Sequence, residues 1–269
     1  MFKVLSARQL RLDDTYQSYV HRVAQLTLTD TYKSQLEHIQ ESPKFNLWEG
    51  KRIPSPFPGY TVITPPWCDD SENTSFYQNL QDCQKRLFEQ MEPGLMVPVP
   101  PDSFHLTIGD LIWDSAYRDA TTKNPDFEAQ LRSRVAESFS YCPKSPEPVR
   151  WMVLGCMLRT RAIGVCLAPT DQNSFVQTME LRRSLYQNPS LIALGIEQQY
   201  NYTAHLTLGY FGSIPSELDR DNISQLLSDL NMEWLDAPQS LGVSRVELRK
   251  FDDMTRYYRQ DDWPVFEFS

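Results

Sequence analysis

The sequence predicts an α+β fold for this chain of 269 residues, and three observations lead to that prediction. Segments with a period of two alternate along the chain with segments of helical period, and two predicted strands follow each other through a tight turn. A pentapeptide with the alternation of a strand occurs twice. Finally, 41% of the residues are hydrophobic, which allows one large domain or two coupled lobes to bury a sizeable core.

The first 50 residues are polar and predict a helical extension without obvious chemistry of its own. Apolar residues near the helical spacing predict a helix over residues 14–26. Thr29 or Asp30 is placed to cap a second helix that continues through Ile39. His21 and His38 lie in these helices, and we expect both to be surface or packing residues.

The predicted strands are short runs rich in β-branched, aromatic or alternating residues that end at prolines, glycines or polar turns. Prolines at positions 54, 56 and 58 form a rigid lead-in to the first strand. In chain order the predicted strands cover residues 60–64, 104–113, 151–158, 162–167, 204–211 and 243–251.

The predicted helices of this part of the chain are amphipathic segments between those strands. They cover residues 76–91, which end before a Pro-Gly pair, and residues 126–139. Asp171 is placed to cap a helix that ends at Tyr186, and Ser213 or Pro215 to open one that continues to about Leu230.

The repeated pentapeptide reads His-Leu-Thr-Ile-Gly at residues 105–109 and His-Leu-Thr-Leu-Gly at residues 205–209, and it uses two of only four histidines. At average residue usage, a histidine is followed by such a tetrapeptide about once in ten thousand cases. In a strand, residues i and i+2 share a face. Each copy therefore presents an imidazole beside a hydroxyl and anchors the opposite face in the core.

The two faces together would surround a small anion with two imidazoles and two threonine hydroxyls. Imidazole titrates near neutrality, so one ring can accept a proton while the other donates one. Hydroxyls can donate hydrogen bonds to non-bridging oxygens. This set of groups suits in-line displacement at phosphorus, with His105 and His205 as acid and base and with Thr107 and Thr207 as phosphate-binding residues.

At these residues the sequence resembles the 2H phosphoesterase superfamily, whose two His-x-Thr/Ser-x motifs match His105, Thr107, His205 and Thr207. The resemblance extends over about residues 55–251. Short stretches around Lys44, residues 56–59 and residues 101–104 look like a little-characterised bacterial branch.

This resemblance implies a bilobal fold with two antiparallel sheets facing across a central cleft, helices outside, and the motifs on central strands of opposite lobes. It assigns residues 51–269 to the catalytic domain and residues 1–50 to the N-terminal extension. Members of the superfamily include cyclic nucleotide phosphodiesterases, 2′-5′ oligoadenylate phosphodiesterases and RNA 2′,3′-cyclic phosphodiesterases of the 2′-5′ RNA ligase type.

Several alternatives stand beside catalysis. Both His-Thr pairs could be structural groups bonded inside a sheet, or the cleft could bind a nucleotide or RNA end without cleaving it, or the chemistry could run backwards as RNA 2′-5′ ligation. A zinc site needs a third ligand at short spacing, and neither motif offers one. Asp110 is expected to point with Ile108, away from His105. We therefore expect no metal and no other cofactor.

Aromatic side chains are candidates for stacking on a base, which contributes about 1–3 kcal/mol per base. Trp67 and Tyr202 are favoured by their expected loop positions, and Trp113, Tyr257 and Tyr258 are further candidates. Tyr210 alternates with Gly209 on the second motif strand. We therefore expect Tyr210 to belong to the core.

The formal net charge of −9 and the sequence pI of about 5.0 argue against a protein that grips long nucleic acid through many phosphates. No apolar run is long enough for a transmembrane helix, and residues 1–8 lack the apolar region of a signal peptide. The five cysteines include no CxxC pair and predict free thiols in a reducing cytoplasm.

These observations predict a metal-independent phosphodiesterase that acts on a 2′,3′-cyclic or 2′-linked phosphodiester of a nucleotide or RNA end. The motif residues are compatible with a cyclic mononucleotide, ADP-ribose cyclic phosphate, a 2′-5′ oligonucleotide or an RNA terminus. Oligomeric state is not readable from the sequence.

Overall fold

The computed structural model describes residues 14–143 and 147–268. Residues 1–8, in which the sequence predicts no signal peptide, lie outside that range. Among the helices of the described residues, none is long and apolar enough to cross a membrane. The five cysteines are free, and all except Cys68 are buried.

The strands of the described residues form two five-stranded sheets and one hairpin, and their pairings are antiparallel. The first sheet has the order β11-β10-β3-β5, with β12 also paired to β10, and the second has the order β4-β8-β7-β6-β9. The strands are β1 (Phe45–Trp48), β2 (Lys51–Pro54), β3 (Gly59–Ile63), β4 (Met96–Pro98), β5 (Thr107–Trp113), β6 (Val149–Arg159), β7 (Ala162–Pro169), β8 (His205–Phe211), β9 (Ser240–Val243), β10 (Arg245–Phe251), β11 (Tyr257–Tyr258) and β12 (Val265–Glu267).

Helices pack against both sheets, which confirms the predicted α+β class with antiparallel sheets. The helices are α1 (Tyr16–Gln25), α2 (Thr29–Leu36), α3 (Thr74–Gln90), α4 (Asp114–Lys123), α5 (Phe127–Tyr141), α6 (Gln172–Tyr186), α7 (Pro189–Ile192) and α8 (Arg220–Asp236). Helices α2 and α8 pack on β6, and α6 packs on β5 as well as on β6 and β7, so that α6 contacts both sheets.

Local capping explains where several helices begin. The Asp171 carboxylate accepts a hydrogen bond from the Ser174 backbone N–H at 2.7 Å, as the sequence predicted. The last long helix begins at Arg220 rather than near Ser213. The backbone N–H of Gly212 donates to the Leu95 carbonyl at 2.8 Å and that of Ser213 to the Gly94 carbonyl at 3.0 Å, just before β4, and these bonds hold the chain extended.

Several elements were not predicted. Residues 45–54 form the hairpin β1–β2, so the part of the N-terminal segment at residues 45–48 is not helical, and the expected boundary at residue 50 falls in the turn of this hairpin. Helix α4 and the short strands β4, β9, β11 and β12 were also missed. Each of these strands has only two to four residues, too few to show a period.

The chain crosses between the two sheets four times, since β4 lies in the second sheet between β3 and β5 of the first, and β9 precedes β10. The two motif strands thus lie in different sheets, as expected. Strand β8 lies between β4 and β7, but β5 forms the end of its sheet among the described residues. The expectation that both motifs lie on central strands is therefore wrong for the first motif.

Candidate active site

Hydrogen bonds fix the backbone and the ring of the first motif histidine. His105 comes just before β5, and the neighbouring Leu106 exchanges two hydrogen bonds of 2.9 Å with Thr64, one to its hydroxyl and one from its backbone N–H. The Nδ1 of His105 lies 2.7 Å from the carbonyl oxygen of Ser103. The ring is thereby tied to its own chain two residues upstream.

The second motif repeats this arrangement. His205 begins β8, and its Nδ1 lies 2.7 Å from the carbonyl oxygen of Thr203. Helix α1 supports this approach, because Arg22 donates to the Thr203 hydroxyl at 2.9 Å and the Tyr19 hydroxyl accepts the Ala204 N–H at 3.0 Å. The N-terminal segment therefore braces the second motif directly.

The two tethers have the same chemical consequence. A carbonyl oxygen only accepts, so Nδ1 must donate its proton to it in each ring. In the neutral imidazole the other nitrogen, Nε2, then carries the lone pair and is the one available to a ligand. Both histidines are thus held in the same tautomer, with the same nitrogen left for proton transfer.

Both motifs line one cavity of about 350 Å³ between the sheets. Its lining includes all four motif residues, one lysine, one aspartate and a set of aromatic side chains. These are His105, Thr107, His205, Thr207, Lys44, Asp110, Phe57, Phe104, Trp113, Tyr200, Tyr210, Phe251 and Tyr257. The structure therefore brings together the four residues that the sequence singled out as catalytic.

Burial keeps both imidazoles neutral in the free protein. Desolvation, with a smaller contribution from the charge of Arg249, lowers the pKa of His105 to about 4. Desolvation and the positive charge of Arg159 lower the pKa of His205 to about 3. At neutral pH the cleft thus offers two proton acceptors, and a bound anion is needed to favour an imidazolium.

Two matched β-bulges change which side chains face the cleft. Opposite β3, Gly109 pairs with Val62 and Thr107 with Ile63, which leaves Ile108 unpaired. Opposite β7, Gly209 pairs with Ile163 and Thr207 with Gly164, which leaves Leu208 unpaired. An extra residue in one strand shifts the alternation of the side chains beyond it.

Because of these bulges, Asp110 and Tyr210 line the cleft instead of the two glycines. The expectations that Asp110 points away from His105 and that Tyr210 belongs only to the core are therefore wrong. A second irregularity in β5, at Leu111, adds Trp113 to the same face. The cleft side of β5 thus follows a period of three.

A buried polar side chain caps the carbonyl of each bulged residue. The Gln84 amide donates to Leu208 O at 2.7 Å and to Val99 O at 2.9 Å, and the Arg182 guanidinium donates to Ile108 O. Gly209 has a separate reason to be glycine, since an added Cβ would lie 2.7 Å from the carbonyl oxygen of Val97. The motif geometry is thus maintained by residues on α3, α6 and β4.

The aromatic candidates divide into two groups. Trp113 and Tyr257 line the cleft, and the Tyr257 ring lies 4.2 Å from the His105 ring, measured between centroids. Trp67 stacks on Tyr77 outside the lining, and Tyr202 is buried beneath β5, where its hydroxyl donates to Thr107 O at 3.3 Å. The structure does not bring these two favoured candidates into the cleft.

Tyr200 and Lys44 are among the cleft residues that sequence reasoning missed. Tyr200 reaches Asp110 through a hydroxyl-to-carboxylate hydrogen bond, and Lys44 arrives from the segment that follows α2. The sequence signal that points to Lys44 is the family resemblance of the stretch around it. Across residues 14–143 and 147–268, no three His, Cys, Asp or Glu side chains group as metal ligands.

The chain matches no family model and no curated protein. Its structure is similar to that of a conserved protein of unknown function from Agrobacterium tumefaciens, with a TM-score of 0.62 and 17% sequence identity over 88% of this chain and 97% of that chain. At this identity the likeness concerns the fold alone.

Two further similarities are weaker. E. coli LigT complexed with 3′-AMP gives a TM-score of 0.45 and 14% identity over 79% of this chain and 99% of that chain. A protein described only as a phosphoesterase gives a TM-score of 0.45 and 15% identity over 79% of this chain and 99% of that chain.

Proposed function

We propose that this protein is a 2H-type phosphodiesterase that hydrolyses a 2′,3′-cyclic or 2′-linked phosphodiester of a nucleotide or RNA end without a metal. One observation carries the proposal: two histidines, each tethered through Nδ1 and each two residues before a threonine, line the same cavity. Two titratable rings with free Nε2 atoms are what acid–base catalysis needs, whereas binding alone does not need them.

In the proposed reaction, the Nε2 of one histidine takes a proton from a water molecule while the oxygen of that water forms a bond to phosphorus. The bond from phosphorus to the leaving sugar oxygen breaks, and the Nε2–H of the other histidine protonates that oxygen. Thr107 and Thr207 donate hydrogen bonds to the non-bridging oxygens, where negative charge develops. The matched tethers suit either imidazole to either role.

In this proposal, binding of the substrate protonates one of the two histidines. In the free cleft both imidazoles are neutral near pH 7, because burial lowers the pKa of His105 to about 4 and of His205 to about 3. The negative charge of a bound phosphodiester favours the protonated ring and raises the pKa of the imidazole beside it. Binding thus supplies the acid, and the second ring remains available as the base.

Three features support a nucleotide or RNA end as the substrate class. The cavity of about 350 Å³ is in the range of small-molecule sites, and its aromatic wall offers surfaces on which a base can stack. The net charge of −9 disfavours long nucleic acid. The setting proposed for this activity is the cytoplasm, and the five free cysteines suit it.

Substitution of all four histidines, one at a time, tests this function. We expect His105→Asn and His205→Asn each to lower kcat for a 2′,3′-cyclic nucleotide by about 10²–10⁴. His21→Asn and His38→Asn are matched controls, because both side chains are exposed on or beside the N-terminal helices. Their activity should stay within about twofold of the wild type, an allowance for small indirect effects of surface changes.

The assay should cover cyclic mononucleotides, 2′-5′ oligonucleotides, ADP-ribose cyclic phosphate and an RNA with a 2′,3′-cyclic end, each with and without EDTA. Turnover that survives EDTA is the expected result. Tight binding of a substrate without any product would instead identify a non-catalytic binding module. Loss of activity with EDTA, restored by a divalent metal, would contradict the proposed mechanism.

A further inference from the structure

Lys44 is anchored at the mouth of the cleft by its own backbone. Its N–H donates to the Ser42 hydroxyl at 3.3 Å, and its carbonyl oxygen accepts the Ser55 N–H at 2.9 Å. These bonds hold it where the segment after α2 enters the hairpin β1–β2. The side chain is half-buried and lines the cavity together with the four motif residues.

Two aromatic rings direct the ammonium group of Lys44. Its Nζ lies 4.7 Å from the centroid of Phe57 and 4.9 Å from that of Tyr210, and 3.4 Å from the Tyr210 hydroxyl oxygen. Such contacts attract a cation through the ring quadrupole and leave its charge intact. The ammonium is therefore held in place and keeps N–H groups available for a ligand.

The charge of Lys44 is not neutralised by an ion pair. Among the residues that the structure describes, no carboxylate forms an ion pair with it. Within the same residues, the cavity lining contains no lysine or arginine besides Lys44. The other ionisable groups of the lining are the histidines, tyrosines and Asp110. Asp110 is engaged by the Tyr200 hydroxyl, and burial raises its pKa, while the charge of Lys44 acts on this pKa in the opposite direction without forming an ion pair.

A phosphodiester needs such a cation in this cleft. The anion loses water on entry, and two neutral imidazoles and two hydroxyls compensate only part of that loss. A hydrogen bond from an ammonium to a phosphate oxygen is roughly twice as strong as a neutral one, and lysine acts as a point charge towards phosphate. Lys44 can also stabilise charge that develops as the leaving oxygen departs.

We propose that Lys44 is a further phosphate-binding residue of this site, which donates from Nζ to a non-bridging oxygen of the scissile group. This inference rests on the proposed function for its substrate, a phosphodiester of a nucleotide or RNA end. It also assigns a role to the N-terminal segment, which completes the phosphate site of the catalytic body instead of only packing against it.

Removal of the charge with most of the side-chain length retained tests the inference. We expect Lys44→Met to weaken the binding of inorganic phosphate, measured by calorimetry at pH 7, by about tenfold or more. Lys44→Arg keeps a cation between the rings and should retain most of the affinity. Lys51→Met removes the same charge from the exposed end of the nearby hairpin and should bind within about twofold of the wild type.

Turnover of a 2′,3′-cyclic nucleotide, measured on the same proteins, separates this inference from the proposed function. Phosphate binding that depends on Lys44 in a protein without phosphodiesterase activity would refute the function and leave the phosphate site standing. Full activity and full phosphate affinity in a folded Lys44→Met protein would overturn the inference alone. The inference would also be overturned if Lys51→Met lost as much phosphate affinity as Lys44→Met, or if Lys44→Arg did. It would be overturned as well if the wild type did not bind phosphate.

Discussion

Each cleft histidine is oriented by a backbone carbonyl of its own chain. Ser103 and Thr203 stand in the same position relative to His105 and His205, and the distance from Nδ1 to the carbonyl oxygen is 2.7 Å in both. Such a local tether needs no partner side chain to choose the tautomer. It also means that the repeat extends beyond the pentapeptide, to the residue two positions before it.

The depressed histidine pKa values predict how stability depends on pH. Both rings have a pKa of about 3 to 4 in the folded protein and 6.5 when unperturbed, so between these values the unfolded chain binds more protons. Stability should therefore fall as the pH drops below 6.5. From pH 7.5 to 5.5 we expect a loss of about 1 kcal/mol per histidine in urea unfolding.

A double variant provides the control for this dependence. His105→Asn combined with His205→Asn removes both titrating rings, so the fall in stability between pH 7.5 and 5.5 should be smaller than in the wild type by about 2 kcal/mol. An unchanged pH dependence in that variant would show that other groups are responsible.

Bulged strands are the elements that shape this site. Gln84 and Arg182 lie on helices α3 and α6, and each donates to the carbonyl of one bulged residue, with Leu208 O also accepting the Val99 backbone N–H at 3.2 Å. A bulge frees a backbone group that must find another partner when it is buried. The two helices thus determine where Asp110 and Tyr210 point, although neither helix contributes a side chain to the cleft lining.

Gln84→Met tests the role of the cap on the second bulge. The variant removes the amide from Val99 O and from Leu208 O, the latter keeping the Val99 backbone N–H, and a buried group that loses a partner costs about 1–3 kcal/mol. We expect lower stability in urea and a lower kcat, because Thr207 and Tyr210 follow the bulge. Gln81→Met, on the exposed side of the same helix, should change neither. An equal effect of both substitutions would point to helix propensity instead.

At the scale of the whole molecule, helix α1 is connected to the second motif. Tyr19 is fully buried, and its hydroxyl donates to Leu167 O at 2.9 Å while it accepts the Ala204 N–H at 3.0 Å. The bond joins α1 to strand β7 and to the residue just before His205. Helix α1, in the described part of the predicted extension, is therefore packed and hydrogen-bonded to the sheet that carries the second motif.

Tyr19→Phe should weaken this connection. Loss of one buried hydroxyl with two partners is expected to reduce stability by about 1–3 kcal/mol and to lower the melting temperature by several degrees. The Ala204 N–H loses its partner, so kcat should fall with it. Tyr16→Phe, one turn earlier on α1 and without a hydroxyl bond in the described residues, is the matched control. Equal melting temperatures for the two variants would contradict the assigned role.

The sequence by itself determined the α+β class, most of the long elements, and the choice of His105, Thr107, His205 and Thr207 as one set, while the family resemblance implied that they share a cleft. These features depend on local periods, caps and a repeated motif, all of which can be read along a single chain. The same reasoning failed at Asp110 and Tyr210, because a bulge arises from pairing with a neighbouring strand and leaves no local period.

Only the tertiary structure decided which other side chains line the cleft. Lys44 comes from a segment 61 residues before His105 and enters the cleft through contacts with Phe57 and Tyr210, while Trp67 and Tyr202 are withdrawn from it. Their places depend on contacts between residues far apart in the chain. The repeated motif predicts the chemistry of the site, and long-range packing determines the charge and the walls that surround it.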